Sequence, residues 1–214
     1  MKKETAQMQQ WQGEFGKNYT QRNSLDYESF ETLYRKRFGL TRAELNQKFL
    51  GDIPRNSRIL EVGSNIGLQL LCLQKMGFTN LYGIELQQDA VEISKQRTSG
   101  IQIIQGTAFD IPFKDGFFDL VFTSGVLIHI SPADLPEAMR EICRCSKNYI
   151  WGFEYWAKEF TGVEYRGHTA LLWKGDFAAE YRRHFRDLSL IKEEIFPYLG
   201  ETNVDAMFLL KKNG

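Results

Sequence analysis

The 214-residue sequence predicts an α/β fold of the Rossmann-like type: a mostly parallel seven-stranded sheet with an antiparallel last strand, flanked by helices and preceded by an N-terminal helical cap. Three observations predict it. From Ser57 onward, short β-rich runs alternate with amphipathic helical stretches, the pattern of βαβ units. A buried strand, ILEV, gives way to a helix across a glycine-bearing turn within residues 59–67. Two strand-like runs near the carboxyl end are separated by the short turn PYLGETN, which permits an antiparallel pair.

Taken in order, residues 1–57 are polar and helical in tone. SLDYESFETLYRKRF carries apolar residues at helical spacing, and TRAELNQKFL opens on a capping box formed by Thr41 and Glu44. This stretch reads as a cap belonging to the same domain as residues 58–214. The core then runs through strand RILEV, helix IGLQLLCLQKM ending at Gly77, strand LYGIEL, helix DAVEISKQR, and strands IQIIQG and DLVFTSG. A helix within SPADLPEAMREICRCS, capped by Ser131, follows. After it come strand KNYIWGFEY, a loop from Trp156 to Lys174, helix DFAAEYRRHF, and the closing strands LSLIKEEIF and DAMFLLKK. No repeat or low-complexity tract interrupts the pattern, so a single domain is the default.

Composition narrows the function classes. Lys plus Arg and Asp plus Glu number 27 each, so no long-range field favours phosphate backbones or anionic membranes. No apolar run approaches the length that spans a bilayer, and MKKETAQMQQWQGEFG lacks the apolar core of a signal peptide. The expectation is a soluble cytoplasmic protein, monomer or homodimer, that binds neither nucleic acid nor membrane. Cys72, Cys143 and Cys145 all fall in helical stretches and read as reduced packing residues, with no metal expected.

The most informative segment is ILEVGSNIG. Gly63 lets the backbone approach a ligand, and Gly67 lets the helix pack closely on its strand. The dinucleotide fingerprint has glycine where this chain has Asn65. That departure favours S-adenosylmethionine (SAM), which has no pyrophosphate to seat on the helix, over NAD. Glu85 ends the next strand about twenty residues on, where a carboxylate can accept both ribose hydroxyls. Taken alone, Glu85 reads equally well as a helix-capping charge.

GTAFDIPFKDGFFDLVF, residues 106–122, resembles the GDAxxLPFxDxxFDLV segment of small-molecule and quinone-type class I methyltransferases. The resemblance implies Thr107, Ala108 and Phe109 at the adenine edge, Glu61 near the methionine ammonium of SAM, and the product S-adenosylhomocysteine (SAH). Thr107 stands where aspartate is usual, and Asp110 either replaces it or serves a turn. TSGVLIHI then brings Ser124 beside the methionine part. His129 reads as a general base, suited by a pKa near 6.5, or as a packing histidine. In EYWAKEFTGVEYRGH, residues 154–168, Tyr155, Tyr165, Arg166 and His168 suggest an acceptor pocket, with Tyr165 catalytic and Arg166 for a carboxylate or phosphate. Ordinary aromatic anchoring of a surface loop is the alternative. At the amino end, Trp11, Tyr19 and Arg22 sit among glycines in WQGEFGKNYTQRN and suggest a lid over the cofactor.

On WQGEFGKNYTQRN, ILEVGSNIG, YGIEL, DLVFTSGVLIHISP, FEY with EYRGH, and KGDFAAEY, the whole chain resembles the pseudaminic-acid-biosynthesis-associated methyltransferases. That resemblance implies a SAM-dependent enzyme that methylates a small polar acceptor in the making or decoration of bacterial surface sugars. Three rivals stand beside it: a subunit that binds SAM without catalysis, an NAD-dependent oxidoreductase using Glu85 for the ribose, and a methyltransferase for RNA or protein, which the neutral overall charge disfavours.

Overall fold

The computed structural model describes residues 3–213. Four helices come first: α1 (Ala6–Gln12), α2 (Glu14–Arg22), α3 (Tyr27–Phe38) and α4 (Arg42–Leu50). Each start has a local cause. Thr5 and Asp26 accept backbone N–H groups at the starts of α1 and α3, and Thr41 forms the reciprocal capping box with Glu44 that opens α4.

The alternating part follows as β1 (Arg58–Val62), α5 (Leu68–Lys75), β2 (Asn80–Glu85), α6 (Gln88–Arg97), β3 (Ile101–Gln105) and β4 (Phe118–Ser124). The chain continues through α7 (Leu135–Cys145), β5 (Ser146–Tyr155), a two-residue ribbon β6 (Thr161–Gly162) and β7 (Trp173–Lys174), α8 (Phe177–His184), β8 (Leu188–Pro197) and β9 (Val204–Lys212). Among the described residues the main sheet has the order β3-β2-β1-β4-β5-β9-β8. Strands β1 to β5 pair in parallel, and β9 runs antiparallel to both β5 and β8. The last strand is therefore inserted inside the sheet, and β8 forms its edge.

Two apolar layers cover the sheet. Successive strand residues point to opposite faces, so Leu60 and Val121 join α7 and α8 residues such as Met139, Ile142 and Tyr181 on one side. Ile59, Leu120 and Phe122 join Leu45 and Phe49 of α4 and Leu70 and Leu73 of α5 on the other. All three cysteines are free and buried.

Two local expectations are corrected. Ser131 does not cap α7: the helix starts at Leu135 behind Asp134, and Ser131 instead forms a preceding turn, its hydroxyl bonded to the Asp134 carboxylate at 2.6 Å. Pro136 suits the first turn of α7, but in a helix begun behind Ser131 it would lack the N–H owed to the carbonyl of Pro132 and clash with it, so the helix starts later. The expected open loop 156–174 is pinned by the β6–β7 ribbon and by a turn in which Tyr165 and His168 bond each other's backbone.

Candidate functional site

The strand order reverses between β1 and β4, and at such a switch point the loops leaving the carboxyl ends diverge and open a crevice. A cavity of about 230 Å³ lies there. Its floor comes from the β1, β2 and β4 ends, through Glu61, Glu85 and Ser124, and its roof from α1 and α2, through Met8, Trp11 and Tyr19.

The glycine turn shapes the floor. A Cβ on Gly63, at φ 75°, would fall 2.6 Å from a Val126 methyl, and one on Gly67, at φ 80°, would meet Ile103 at 2.7 Å. Gly63 lines the cavity, whereas Gly67 serves helix packing and stands outside it. Asn65 takes the left-handed backbone itself, at φ 44°, which explains why asparagine can replace the middle glycine. Its N–H donates to Glu85 at 2.7 Å and its side-chain amide donates to Thr20 of α2 at 2.9 Å, so the turn also holds the roof.

Glu85 is 6% exposed, and its second oxygen accepts the Gln87 N–H at 2.9 Å. The Leu86 N–H also bonds this carboxylate, which keeps acceptor capacity beyond its backbone bonds. Glu61 is 2% exposed, with Oε2 buried and unpartnered; burial raises its pKa well above the usual carboxylate range, opposed by the charge of Arg42. Thr107, Ala108 and Phe109 line the wall beyond Glu85, where the Thr107 hydroxyl accepts the Phe109 N–H at 3.2 Å.

His129 lines the cavity beneath Trp11, with ring centroids 4.5 Å apart. Its Nδ1 lies 2.6 Å from the Leu171 carbonyl; a carbonyl only accepts, so the proton sits on Nδ1 and Nε2 keeps its lone pair. The expectation of a pKa near 6.5 is corrected: burial pushes it down to about 4, and the ring is neutral at physiological pH. The loop carrying it is fixed by the buried carboxylate of Glu154, which accepts the Val126 and Ile128 N–H groups.

The expected acceptor pocket is also corrected. Tyr155, Arg166 and His168 do not line the cavity. Tyr155 packs near Tyr198 at the β5 end, Arg166 is exposed on its turn at φ 52°, and His168 stacks on Phe15. Tyr165 stands one ring back, 5.7 Å from His129. Arg22, the last residue of α2, is exposed and does not reach the cavity.

Several site residues escaped the sequence reading. Gln69 and Gln87 line the cavity with unpartnered buried oxygens, and Arg42, 0% exposed, bonds Ser124 from behind. A signal for Arg42 existed: it shares one helical stripe with Leu45, Asn46 and Phe49, all buried, so an arginine sat on a core-facing surface. Among the described residues no cluster of His, Cys, Asp or Glu is arranged to hold a metal ion. No described helix is long and apolar enough to cross a membrane.

This fold, with its crevice at the β1–β4 switch, is that of the Rossmann-like class I methyltransferases. Residues 60–149, which carry the glycine turn, Glu61, Glu85 and Ser124, match the protein-family profile for the methyltransferase domain. Over these residues the chain is thus similar to methyltransferase domains, which points to SAM as the cofactor. Over 93 residues it is 29% identical to the phosphoethanolamine N-methyltransferase of Plasmodium falciparum (isolate 3D7), covering 41% of this chain and 35% of that one. The curated relatives it matches are spanned over about a third to just over half of their length. Among solved structures, a putative methyltransferase in complex with the Haloferax volcanii Trm112 activator superposes with TM-score 0.71 at 16% identity, covering 92% and 96% of the two chains. The Burkholderia thailandensis 1,6-didemethyltoxoflavin-N1-methyltransferase, solved with SAH, superposes with TM-score 0.69 at 12% identity, covering 93% and 86%.

The residues present suit this cofactor. Trp11 Nε1, Glu61 Oε2, Ser64 Oγ, Gln69 Oε1 and Gln87 Oε1 are all buried without a partner, and all belong to residues lining the cavity. Buried polar atoms are ordinarily paired, so this concentration marks a surface built to meet a polar ligand. The apolar wall at Met8, Ile84 and Phe109 matches a purine face.

Proposed function

We propose that the chain transfers a methyl group from SAM to a nitrogen or oxygen atom of a small polar acceptor. The observation that supports it most is the set of unpartnered buried polar atoms gathered around one cavity at the switch point of a class I fold. SAM supplies an activated methyl group on a sulfonium, and transfer is an in-line displacement governed by alignment.

In this reading Glu85 binds the ribose hydroxyls, Thr107 to Phe109 hold the base edge, and Glu61 and Ser124 hold the amino-acid end. Residues 1–57 act as a cap of the same domain as residues 58–214, and α1 and α2 form its lid. Trp11 and Tyr19 shut water out of the reacting centre, where dehydration strengthens polar contacts. The lid is tied down on three sides, by Thr20 to Asn65, by Lys17 to Asp89 at 2.9 Å, and by Lys3 to Asp134 of the turn before α7 at 2.7 Å. His129 accepts a hydrogen bond from the acceptor's N–H or O–H through Nε2, orienting it, while Tyr165 backs the ring. A neutral imidazole suits this orienting role better than proton storage.

The acceptor classes to test are amino and nucleotide-linked sugars, on the resemblance to enzymes of bacterial surface-sugar synthesis, and phosphorylated amines and acids, on the Plasmodium relative. The proposed setting is the cytoplasm, as a monomer or homodimer, without nucleic acid or membrane. Incubating the protein with SAM and each class, and measuring SAH release, tests the reading. Acceptor-dependent release is expected with one class. Tight SAM binding with no release across the panel would favour a binding protein without catalysis.

A further inference from the structure

Arg42 is a fully buried cation, and among the described residues no carboxylate lies within 4.0 Å of it. Its side-chain partners are neutral. Nε donates to Asn46 at 2.8 Å, and Nη1 donates to the Tyr34 hydroxyl at 2.9 Å and the Ser124 hydroxyl at 3.1 Å. Nη2 is buried with no partner. Its charge acts on the buried Glu61 and Asp205 side chains only from beyond ion-pair distance, so it is incompletely met and a further anion nearby would be favourable.

The hydrogen bonds point to where such an anion would sit. Ser124 Oγ accepts from Arg42 and also from the Gln69 amide at 3.4 Å, which uses both of its lone pairs. Its hydroxyl has only its proton left to give, and Ser124 lines the cavity. Glu61 Oε2, an acceptor without a donor, lines the same cavity. A group that brings a cation to Glu61 and an anion to Ser124 together would satisfy both, and the amino-acid end of SAM is such a zwitterion.

We infer that Arg42 is a positioning residue that forces the Ser124 hydroxyl to donate to the carboxylate of the cofactor's amino-acid end. This rests on the proposed SAM site and adds to it the residue that reads the carboxylate. Arg42 comes from α4, outside the matched methyltransferase segment, so the cap contributes to cofactor selection as well as covering the cleft.

The test is a comparison by calorimetry of SAH with its decarboxylated analogue, which keeps the ammonium. Wild type is expected to favour SAH by about 10- to 100-fold, the range for a hydrogen bond to a charged group. In Ser124→Ala and Arg42→Met that preference should collapse toward unity while the decarboxylated analogue binds as it does to wild type. A structural defect would weaken both ligands together and leave the ratio intact. If Arg42→Met does not fold, Ser124→Ala and Arg42→Lys carry the test, since lysine keeps the charge but cannot hold Tyr34, Asn46 and Ser124 at once. Equal wild-type affinity for the two ligands, or a ratio unchanged in the variants, overturns the inference and leaves the SAM site standing. Failure of wild type to bind SAH at all would overturn the site itself.

Discussion

Replacing Asn65 by alanine and by glycine separates two jobs that one side chain performs. The backbone there is at φ 44°, so alanine carries a penalty of about 1–2 kcal/mol that glycine avoids. Both substitutions delete the bond from the side-chain amide to Thr20 and the one that the Ile66 N–H makes to Oδ1 at 2.9 Å, each worth about 0.5–1.5 kcal/mol. For a chain of this size 1 kcal/mol corresponds to about 2–4 °C in Tm, so alanine should melt about 4–20 °C below wild type, and glycine about 2–8 °C above alanine. Differential scanning calorimetry reads both. The tether to α2 is lost equally in the two variants, so SAH affinity should fall about 3- to 10-fold in each, by titration calorimetry. Alanine and glycine melting together would refute the strain argument, and undiminished SAH affinity in both would refute the tether.

Two more predictions follow from buried titratable groups. Because burial lowers His129 to about 4, the pH–rate profile should show no histidine ionisation between about pH 5.5 and 8, and His129→Ala should lower kcat more than it weakens SAM binding; a limb near pH 6.5 that disappears in the variant would contradict this. The same depression means that the stability tied to neutral His129 is present above pH 6.5 and lost as pH falls toward 4. Glu154 behaves oppositely. Its pKa is raised to about 7 by burial, against its bonds to Thr123 and the 126–128 backbone, so the stability of its protonated form is complete below pH 4.5 and fades as pH rises through 7. Across that window wild type should lose up to about 3 kcal/mol relative to Glu154→Gln, and parallel Tm–pH curves for the two proteins would contradict the assignment.

Much of the fold was legible because it rests on local periodicity. The switch from helical spacing to short apolar runs at Ser57, the Thr41–Glu44 box and the glycine turn each act through neighbours in sequence. The insertion of β9 between β5 and β8 was not read, although the near-continuous apolar run DAMFLL suits an interior strand and the charged KEE of LSLIKEEIF suits an edge. For the site, the structure gathers the strand-end residues Glu61, Glu85, Ser124 and His129 and the helical residues Trp11 and Tyr19, all legible in the sequence, around one cavity. What failed was reach. Arg166 and Arg22 have suitable chemistry, but a left-handed turn and a helix end turn them to solvent. The burial of Arg42 was not legible because it depends on tertiary packing against Trp151 and Phe153, more than 100 residues away in sequence.

The central claim is that the turn from Glu61 to Gly67 and the Glu85 carboxylate cradle the nucleoside of SAM. Titration calorimetry of SAH into wild type, Glu85→Gln and Glu85→Ala, with NAD as control, tests it most directly. Glu85→Ala should weaken SAH about 10- to 150-fold, with Glu85→Gln between it and wild type, and NAD should give no binding. SAH affinity unchanged in Glu85→Ala, or NAD bound in preference to SAH, would contradict the claim.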